Sequence, residues 1–438
     1  MLKDVRIRLA GMMFLLYFSI GSWAVTLSSY LLAPAAEGGL NFSPGQVSWA
    51  YTTYALGGML APLVAGPLAD RWFRADRVVL VAAIGGAAVL ALTAVWCDGR
   101  ADAVRAAAEG PGREAAVRLT FAGLVVLLAA YCFFLQLVQT LANVITHRNH
   151  PAGAAGYAHM RLFGTVGWVV AGNLIALLLV AVSAQPLWLA AGSTALFALS
   201  TLTLPPTPPL SHDRRLMPAL RLLRNPTFNV FLAACFLSAA ANQFYAVYIH
   251  RALTDLGVSL PERLMTVAQV LEVGCMAAIP WLKPVRNMKL LMLLGLGGYL
   301  LRAVALCGWS KLWVVALAVP LHGWSFAFFF VVAQTYLKRV STPDIAAGAQ
   351  AILTFVAGGV GVCGGNLLAG WVVGGHRVGT VTDWPAVWLV PLVGCAAAFA
   401  LFLVAFRQPR TLAVEGEPAG GESAAYNSGS PSPTGVLA

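Results

Sequence analysis

The chain has 438 residues, 59% hydrophobic and only 10% charged, with a formal net charge of +11 and a mean hydropathy of +0.77. Soluble domains carry about 25% charged residues, so the composition excludes an ordinary soluble enzyme and points to an all-α polytopic membrane protein whose solvent is the lipid bilayer. The basic excess has a topological explanation rather than a nucleic-acid one, because Lys and Arg gather on one side of the apolar runs.

A membrane span needs about 20 mostly apolar residues. Twelve runs qualify: 9–32, 45–69, 77–97, 118–145, 157–182, 186–204, 227–251, 262–282, 287–308, 311–337, 345–374 and 385–406. Lys3, Arg6 and Arg8 before the first run, with Ala33, Pro34 and Ala35 after it, mimic a signal peptide. The run from Leu9 to Leu32 is about twice a usual signal core, so it is expected to stay as the first span. The second run is the weakest, and Tyr51, Thr52, Thr53 and Tyr54 suggest that it faces a cavity.

Twelve spans put both termini on one side. About 18 of the 28 Lys and Arg fall on that side, including Arg71, Arg74, Arg77, Arg221, Arg224 and Lys338. The positive-inside rule then makes the termini cytoplasmic, and the expected location is the plasma (inner) membrane. The stretch 205–226 contains Pro205, Pro206, Pro208 and Pro209 and divides the spans six and six. The expected domains are a six-helix bundle over 1–204, a cytoplasmic linker over 205–226, a second bundle over 227–407 and a disordered tail over 408–438. Seven cysteines stand singly within or beside apolar runs and read as small core residues; no cofactor or metal motif occurs.

Several polar residues lie inside these runs, where they carry a cost and call for a partner or a cavity. Gln269 and Glu272 are three apart on one helical face near the middle of the eighth span. That face lines a substrate path, or Glu272 is buried at a helix interface and neutralised there. Arg161, about a turn inside the fifth span, pairs with Glu272, meets a substrate oxygen, or snorkels. Arg302 lies deep in the ninth span and needs a carboxylate or carbonyl. Gln136, Gln139 and Asn143 form a stripe that faces either the cavity or another helix. Asp255 and Glu262 are expected in a solvated loop, and His147, His150 and His159 as loop residues.

Gly66-Pro-Leu-Ala-Asp70-Arg71-Trp-Phe-Arg74, after the second span, resembles the loop signature of the major facilitator superfamily, which implies a gating role for Asp70, Arg71 and Arg74. Three more segments resemble the nucleoside:proton symporters of that superfamily: Gly21-Ser-Trp23-Ala-Val-Thr26-Leu-Ser-Ser-Tyr30, Arg161-Leu-Phe-Gly-Thr165-Val-Gly-Trp168 and Thr382-Asp-Trp-Pro-Ala-Val-Trp-Leu389. The resemblance implies twelve transmembrane helices in two six-helix bundles and import of nucleosides with a proton. It implies a nucleoside site of Arg161, Thr165, Trp168, Gln243, Gln269, Glu272, His322 and Phe326. Three positions depart from the family pattern: His322 replaces a tyrosine, Ala246 an asparagine and Ala327 an aspartate.

A nucleoside offers a flat base, base-edge polar atoms and ribose hydroxyls, which suit aromatic faces, amides and a carboxylate. Glu272 is the best proton carrier in this inventory, and one proton per cycle would draw on about 2.3 kcal/mol per 100 mV of membrane potential. The departures at Ala246 and Ala327 keep open a transporter of another small polar solute, a sugar or modified nucleoside, working as an uncoupled uniporter. No catalytic or phosphate-binding motif supports a membrane enzyme or sensor. The expected partners are a nucleoside, a proton and lipid, with no nucleic acid, and the superfamily default is a monomer.

Overall fold

The computed structural model describes residues 2–107, 109–151, 153–178, 181–209, 217–279, 287–308, 311–342 and 345–407. The tail expected to be disordered, 408–438, and part of the linker, 210–216, lie outside the described residues. The N-terminal half contains α1 (Leu2–Ala24), α2 (Leu27–Leu32), α3 (Pro44–Pro67), α4 (Ala75–Ala106), α5 (Pro111–Asn149), α6 (Gly153–Leu178) and α7 (Gln185–Thr201). The C-terminal half contains α8 (Met217–Leu220), α9 (Pro226–Asp255), α10 (Pro261–Ala278), α11 (Met288–Cys307), α12 (Leu312–Ala318), α13 (Leu321–Ser325), α14 (Val332–Val340), α15 (Ala346–Leu353), α16 (Val362–Gly375) and α17 (Trp384–Ala405). A two-residue hairpin, β1 (Arg377–Val378) with β2 (Val381–Thr382), links the last two helices.

Among the described residues, nine helical runs are long and apolar enough to cross a membrane. The remaining long helices are α3, α7 and α10, which are shorter or more polar. Local sequence sets where helices begin. Ser43 and Gln46 form a reciprocal cap on α3. Asn225 accepts from the Thr227 and Phe228 amides at the head of α9, and Asp383 accepts from the Ala386 amide at the head of α17.

The first apolar run is two helices rather than one, broken at Val25 and Thr26. The expected loop from 98 to 118 is mostly helix. α4 continues to Ala106 and α5 begins at Pro111, with ion pairs Arg105–Asp102, Arg113–Glu109 and Arg118–Glu114 on their exposed ends. Three or four residues apart, these pairs favour helix beyond the apolar segment.

α1 packs on α6 and α7, α4 on α5 and α7, and α3 on α5; in the other half, α9 and α11 pack on α17. The buried core is divided unevenly. At the end carrying the N-terminus the halves have separate cores, one with Leu9, Val79 and Ile145, the other with Phe228, Val340 and Phe406. At the opposite, far end the first core runs on into the second half through Tyr248, Ile249, Leu253, Val372 and Trp384. The halves are thus sealed together at the far end. Ser48 meets Tyr248, hydroxyl to hydroxyl, at 2.8 Å, the Tyr248 hydroxyl reaches the Pro44 carbonyl at 2.7 Å, and Asn173 donates to Thr266 at 2.9 Å. Gly370 permits this approach, since a Cβ there would lie 2.5 Å from the Ser48 hydroxyl.

Candidate functional site

Arg161, Thr165 and Trp168 sit on α6, where it crosses α1. Glycines set the closeness of the crossing: a Cβ on Gly167 would meet the Phe14 carbonyl, and one on Gly164 the ring of Tyr17. Gly21 answers from α1, where a Cβ would lie 3.1 Å from the Trp168 backbone. Two of the sequence segments that carried the resemblance are therefore the two sides of one helix crossing. The crossing lays the Arg161 guanidinium 3.8 Å above the Tyr17 ring, a cation–π shelf, and lets it reach the Thr165 hydroxyl at 3.4 Å. Trp168 is half-buried at the same crossing.

Tyr17 is itself held. Its hydroxyl accepts from Gln139 Nε2 at 3.0 Å, and Gln139 Oε1 accepts from the Tyr54 hydroxyl at 3.3 Å. Gln136 donates to the Tyr54 carbonyl at 3.3 Å. Gln136 and Gln139 of the fourth-span stripe are thus engaged in bonding between helices. Tyr17 carried no signal in the sequence, being one aromatic in an apolar run.

Gln269 and Glu272 stand on α10, which packs against α6. The Asn173–Thr266 bond fixes the register of these antiparallel helices. Counting from it toward the terminal end at about 1.5 Å per residue brings Trp168 level with the turn that holds Gln269 and Glu272. Both α10 residues are half-buried. Glu272 makes no ion pair among the described residues, but the Arg161 charge is near enough to act on it. Of the alternatives left open for Arg161, a direct pair with Glu272 is not formed among the described residues; the glycine crossing draws the guanidinium toward α1 and onto Tyr17. On its other side α10 meets α13. A Cβ on Gly323 would collide with the Ala268 carbonyl and lie 2.5 Å from the Glu272 nitrogen, so Gly323 sets where Glu272 stands.

His322 and Phe326 follow on the same side, their rings 6.2 Å apart, and Phe326 opens a π-helical run over Phe326–Val331. Such a bulge re-aims side chains and is frequent at functional sites. His322 stacks on Tyr245 at 4.8 Å. Its Nδ1 lies 2.9 Å from Arg302 Nη1, while Arg302 Nη2 donates to Asn242 Oδ1 at 3.0 Å. A guanidinium has only donors, so Nδ1 accepts and the ring proton sits on Nε2. Tyr245 and Tyr299 cover the guanidinium at 4.2 and 4.9 Å. Arg302, 3% exposed, thus finds a side-chain carbonyl and an imidazole, and no carboxylate among the described residues. Gln243, next to Asn242, is half-buried and bonded back to the Ala239 carbonyl at 3.3 Å. Of the departures, Ala246 is exposed and Ala327 is sealed in the core.

Of the expected gating residues, the side chains of Asp70 and Arg71 lie outside the described residues. Arg74 pairs with Asp76 at 2.8 Å, and Asp76 accepts the Thr207 amide at 2.8 Å, which ties the loop to the start of the proline-rich linker.

Two acidic residues expected in a solvated loop need correction. Glu262 is 4% exposed and lies 2.8 Å from His250 Nε2. Asp255 keeps exposure but is bound by Arg251 at 2.8 Å and by Trp384 Nε1 at 3.1 Å. The reason is tertiary: the helices run on to the far-end seam, which encloses the short connection between α9 and α10. Among the described residues, no cluster of His, Cys, Asp and Glu is placed to hold a metal ion.

A model of the nucleoside H+ symporter family matches residues 3–101 and 113–411. Among curated proteins of Escherichia coli strain K12, YegT, named as a candidate nucleoside transporter, is 28% identical over 92% of this chain and 93% of its own. Xanthosine permease is 26% identical over 91% and 94%, and nucleoside permease NupG 23% over 88% and 92%. A crystal structure of nucleoside transporter NupG superposes with a TM-score of 0.77 at 21% identity, covering 92% of this chain and 100% of that one. A D-xylose-proton symporter gives 0.65 at 15% identity, over 94% and 98%. Both structural likenesses are likenesses of fold.

Proposed function

The chain belongs to the nucleoside H+ symporter family, and we propose from that premise that it imports nucleosides with a proton by alternating access. The structure is then the state closed at the far end, and α3, α7 and α10 join the nine apolar runs to make twelve spans in two six-helix bundles. Both termini are cytoplasmic, which makes the far end the outer one. The protein works as a monomer in the inner membrane.

The observation that carries the proposal is that Arg161, on its Tyr17 shelf, and half-buried Glu272 stand in different halves, with the Arg161 charge near enough to act on Glu272. A polar solute bound there touches both halves at once, as rocking about a central site requires. Gln243 and Gln269 supply amide donors and acceptors for base edges and ribose, and Trp168 and Phe326 supply flat apolar faces. Thr165 positions Arg161, and His322 presents its Nε2 proton. Glu272 carries the coupled proton: a half-buried carboxylate within reach of the Arg161 charge changes its proton occupancy as the substrate arrives and the halves move.

The test is uptake of labelled uridine and adenosine into proteoliposomes, with and without an inward proton gradient, for the parent and Glu272→Gln. Gradient-driven uptake that becomes gradient-indifferent, or is lost, in the variant is expected. Uptake that ignores the gradient in the parent would remove the coupling and point to uniport, as the alanine at 327 would explain. Absence of nucleoside uptake by folded protein would overturn the nucleoside assignment.

A further inference from the structure

The far-end seam encloses a chain of three polar side chains that the substrate site does not use. Ser29 of α2 faces His250 of α9 across the seam, Oγ to Nδ1, at 2.6 Å. His250 Nε2 is 2.8 Å from Glu262 Oε1, at the head of α10. The three are 1%, 3% and 4% exposed. A buried carboxylate beside a neutral imidazole leaves one uncompensated charge out of water, which is strongly unfavourable; one added proton leaves the pair with no net charge.

Among the described residues, the surrounding groups do not supply that compensation. On α9, Arg251 is paired with Asp255, and the Tyr248 hydroxyl is bonded to Ser48 and the Pro44 carbonyl. From the hairpin, Arg377 extends to the Leu32 carbonyl and acts on Arg251, Asp255 and Tyr248. On α10, Arg263 is exposed. α2 and α3 offer the hydroxyls of Tyr30 and Tyr51, α6 offers Asn173 to Thr266, and His376 after α16 is bonded to the Val372 carbonyl. Asp383 caps its own helix, α17. His250 is the hydrogen-bonding partner of Glu262.

We propose that His250 and Glu262 form a proton-binding site, distinct from Glu272, whose occupancy holds the outer end of the seam shut. Closing the seam takes one proton from the outer solution onto the pair and clasps His250 to Ser29; opening hydrates the pair and returns that proton to water. The closed state therefore binds more protons than the open one. Closure is favoured as pH falls and lost as pH rises, with the closed-to-open ratio changing by at most about tenfold per pH unit for one linked proton. The proposal rests on the transport reading only in taking the seam to open and close.

The test needs no nucleoside. Spin labels replace Arg118 and Lys311, exposed on the far ends of the two halves, in a background with Cys307→Ala and Cys363→Ala, the two cysteines not fully buried. Glu272→Gln is included so that the substrate site contributes no titration. Distances are read by pulsed electron resonance in lipid nanodiscs between pH 5.5 and 8.5. The short-distance population is expected to grow as pH falls. Adding Glu262→Gln leaves a buried imidazole without its carboxylate, so closure should no longer grow as pH falls and should instead weaken at the acid end. Adding His250→Gln leaves a lone carboxylate and should move the transition to lower pH. Ser29→Ala, which removes only the tie across the seam, should lower the closed fraction at every pH and keep the dependence. A distance distribution indifferent to pH, or Glu262→Gln titrating like its parent, would overturn the proposal and leave the nucleoside assignment untouched.

Discussion

Arg302 shows how a single side chain settles its neighbours. It is a permanent cation buried without a carboxylate among the described residues, so its donors must be met by neutral acceptors, and Asn242 Oδ1 and His322 Nδ1 do so. The His322→Phe substitution keeps a ring against Tyr245 but deletes the acceptor. An unsatisfied buried donor costs about 1–3 kcal/mol, more when charged. The variant should melt several degrees below the parent in detergent, while His322→Gln, which retains an acceptor within reach, should recover most of the loss. Equal melting of His322→Phe and the parent would show that Arg302 does not depend on His322. The sequence made Arg302 conspicuous because charge in an apolar run is rare. It gave no sign of Tyr245 or Tyr299, whose role is defined only by what stands over them.

At the scale of the element, glycines and π-helical runs set how the helices that carry the proposed site pack. Gly164 and Gly167 bring α6 onto α1, and Gly323 brings α13 onto the backbone of α10 beside Glu272. A side chain at 323 must push the two helices apart. Gly323→Val should destabilise the protein by about 1–3 kcal/mol, as overpacking does. It should also reduce nucleoside uptake further than the stability loss explains, by roughly a hundredfold if Glu272 moves by about 1 Å. A folded Gly323→Val protein with parental uptake would show that this crossing does not set the site. The π-helical run at Thr354–Gly361 packs on α9 and on α3 of the other half, where a Cβ on Gly359 would lie 2.6 Å from Met59 Cγ. Neither run was legible in the sequence, since a one-residue change of helical phase leaves composition and periodicity almost unchanged over so short a stretch.

For the molecule as a whole, the arrangement of the core decides which way the path opens. One continuous core joins the halves at the far end, and two separate cores divide them at the terminal end. The Asn173–Thr266 bond lies on the closed part of this seam. Joining Asn173→Cys and Thr266→Cys with a short cleavable thiol crosslinker should therefore stop uptake in proteoliposomes, and cleavage should restore it. Each single variant treated with the same reagent should keep transporting. Uptake that continues through the crosslink would show that this part of the seam does not open.

The sequence by itself determined the class of the protein, the polar residues worth attention and, at three capped positions, where α3, α9 and α17 begin. Each of these follows from local chemistry: apolar length, the cost of charge in lipid, and capping side chains such as Ser43, Asn225 and Asp383. Through the resemblance of their segments it also led us to propose Glu272, Gln269, Arg161 and Thr165 as parts of one site. Tertiary structure decided which partner each polar group takes. Arg161 went to Tyr17 rather than Glu272, Gln136 and Gln139 to helix contacts, and Glu262 to His250 rather than water. His250 and Ser29 are 221 positions apart, and no local pattern records that two such residues will be closed into one dry seam. Partnership of that kind depends on how helices from the two halves meet, which is set by small residues and shape complementarity distributed along the whole chain.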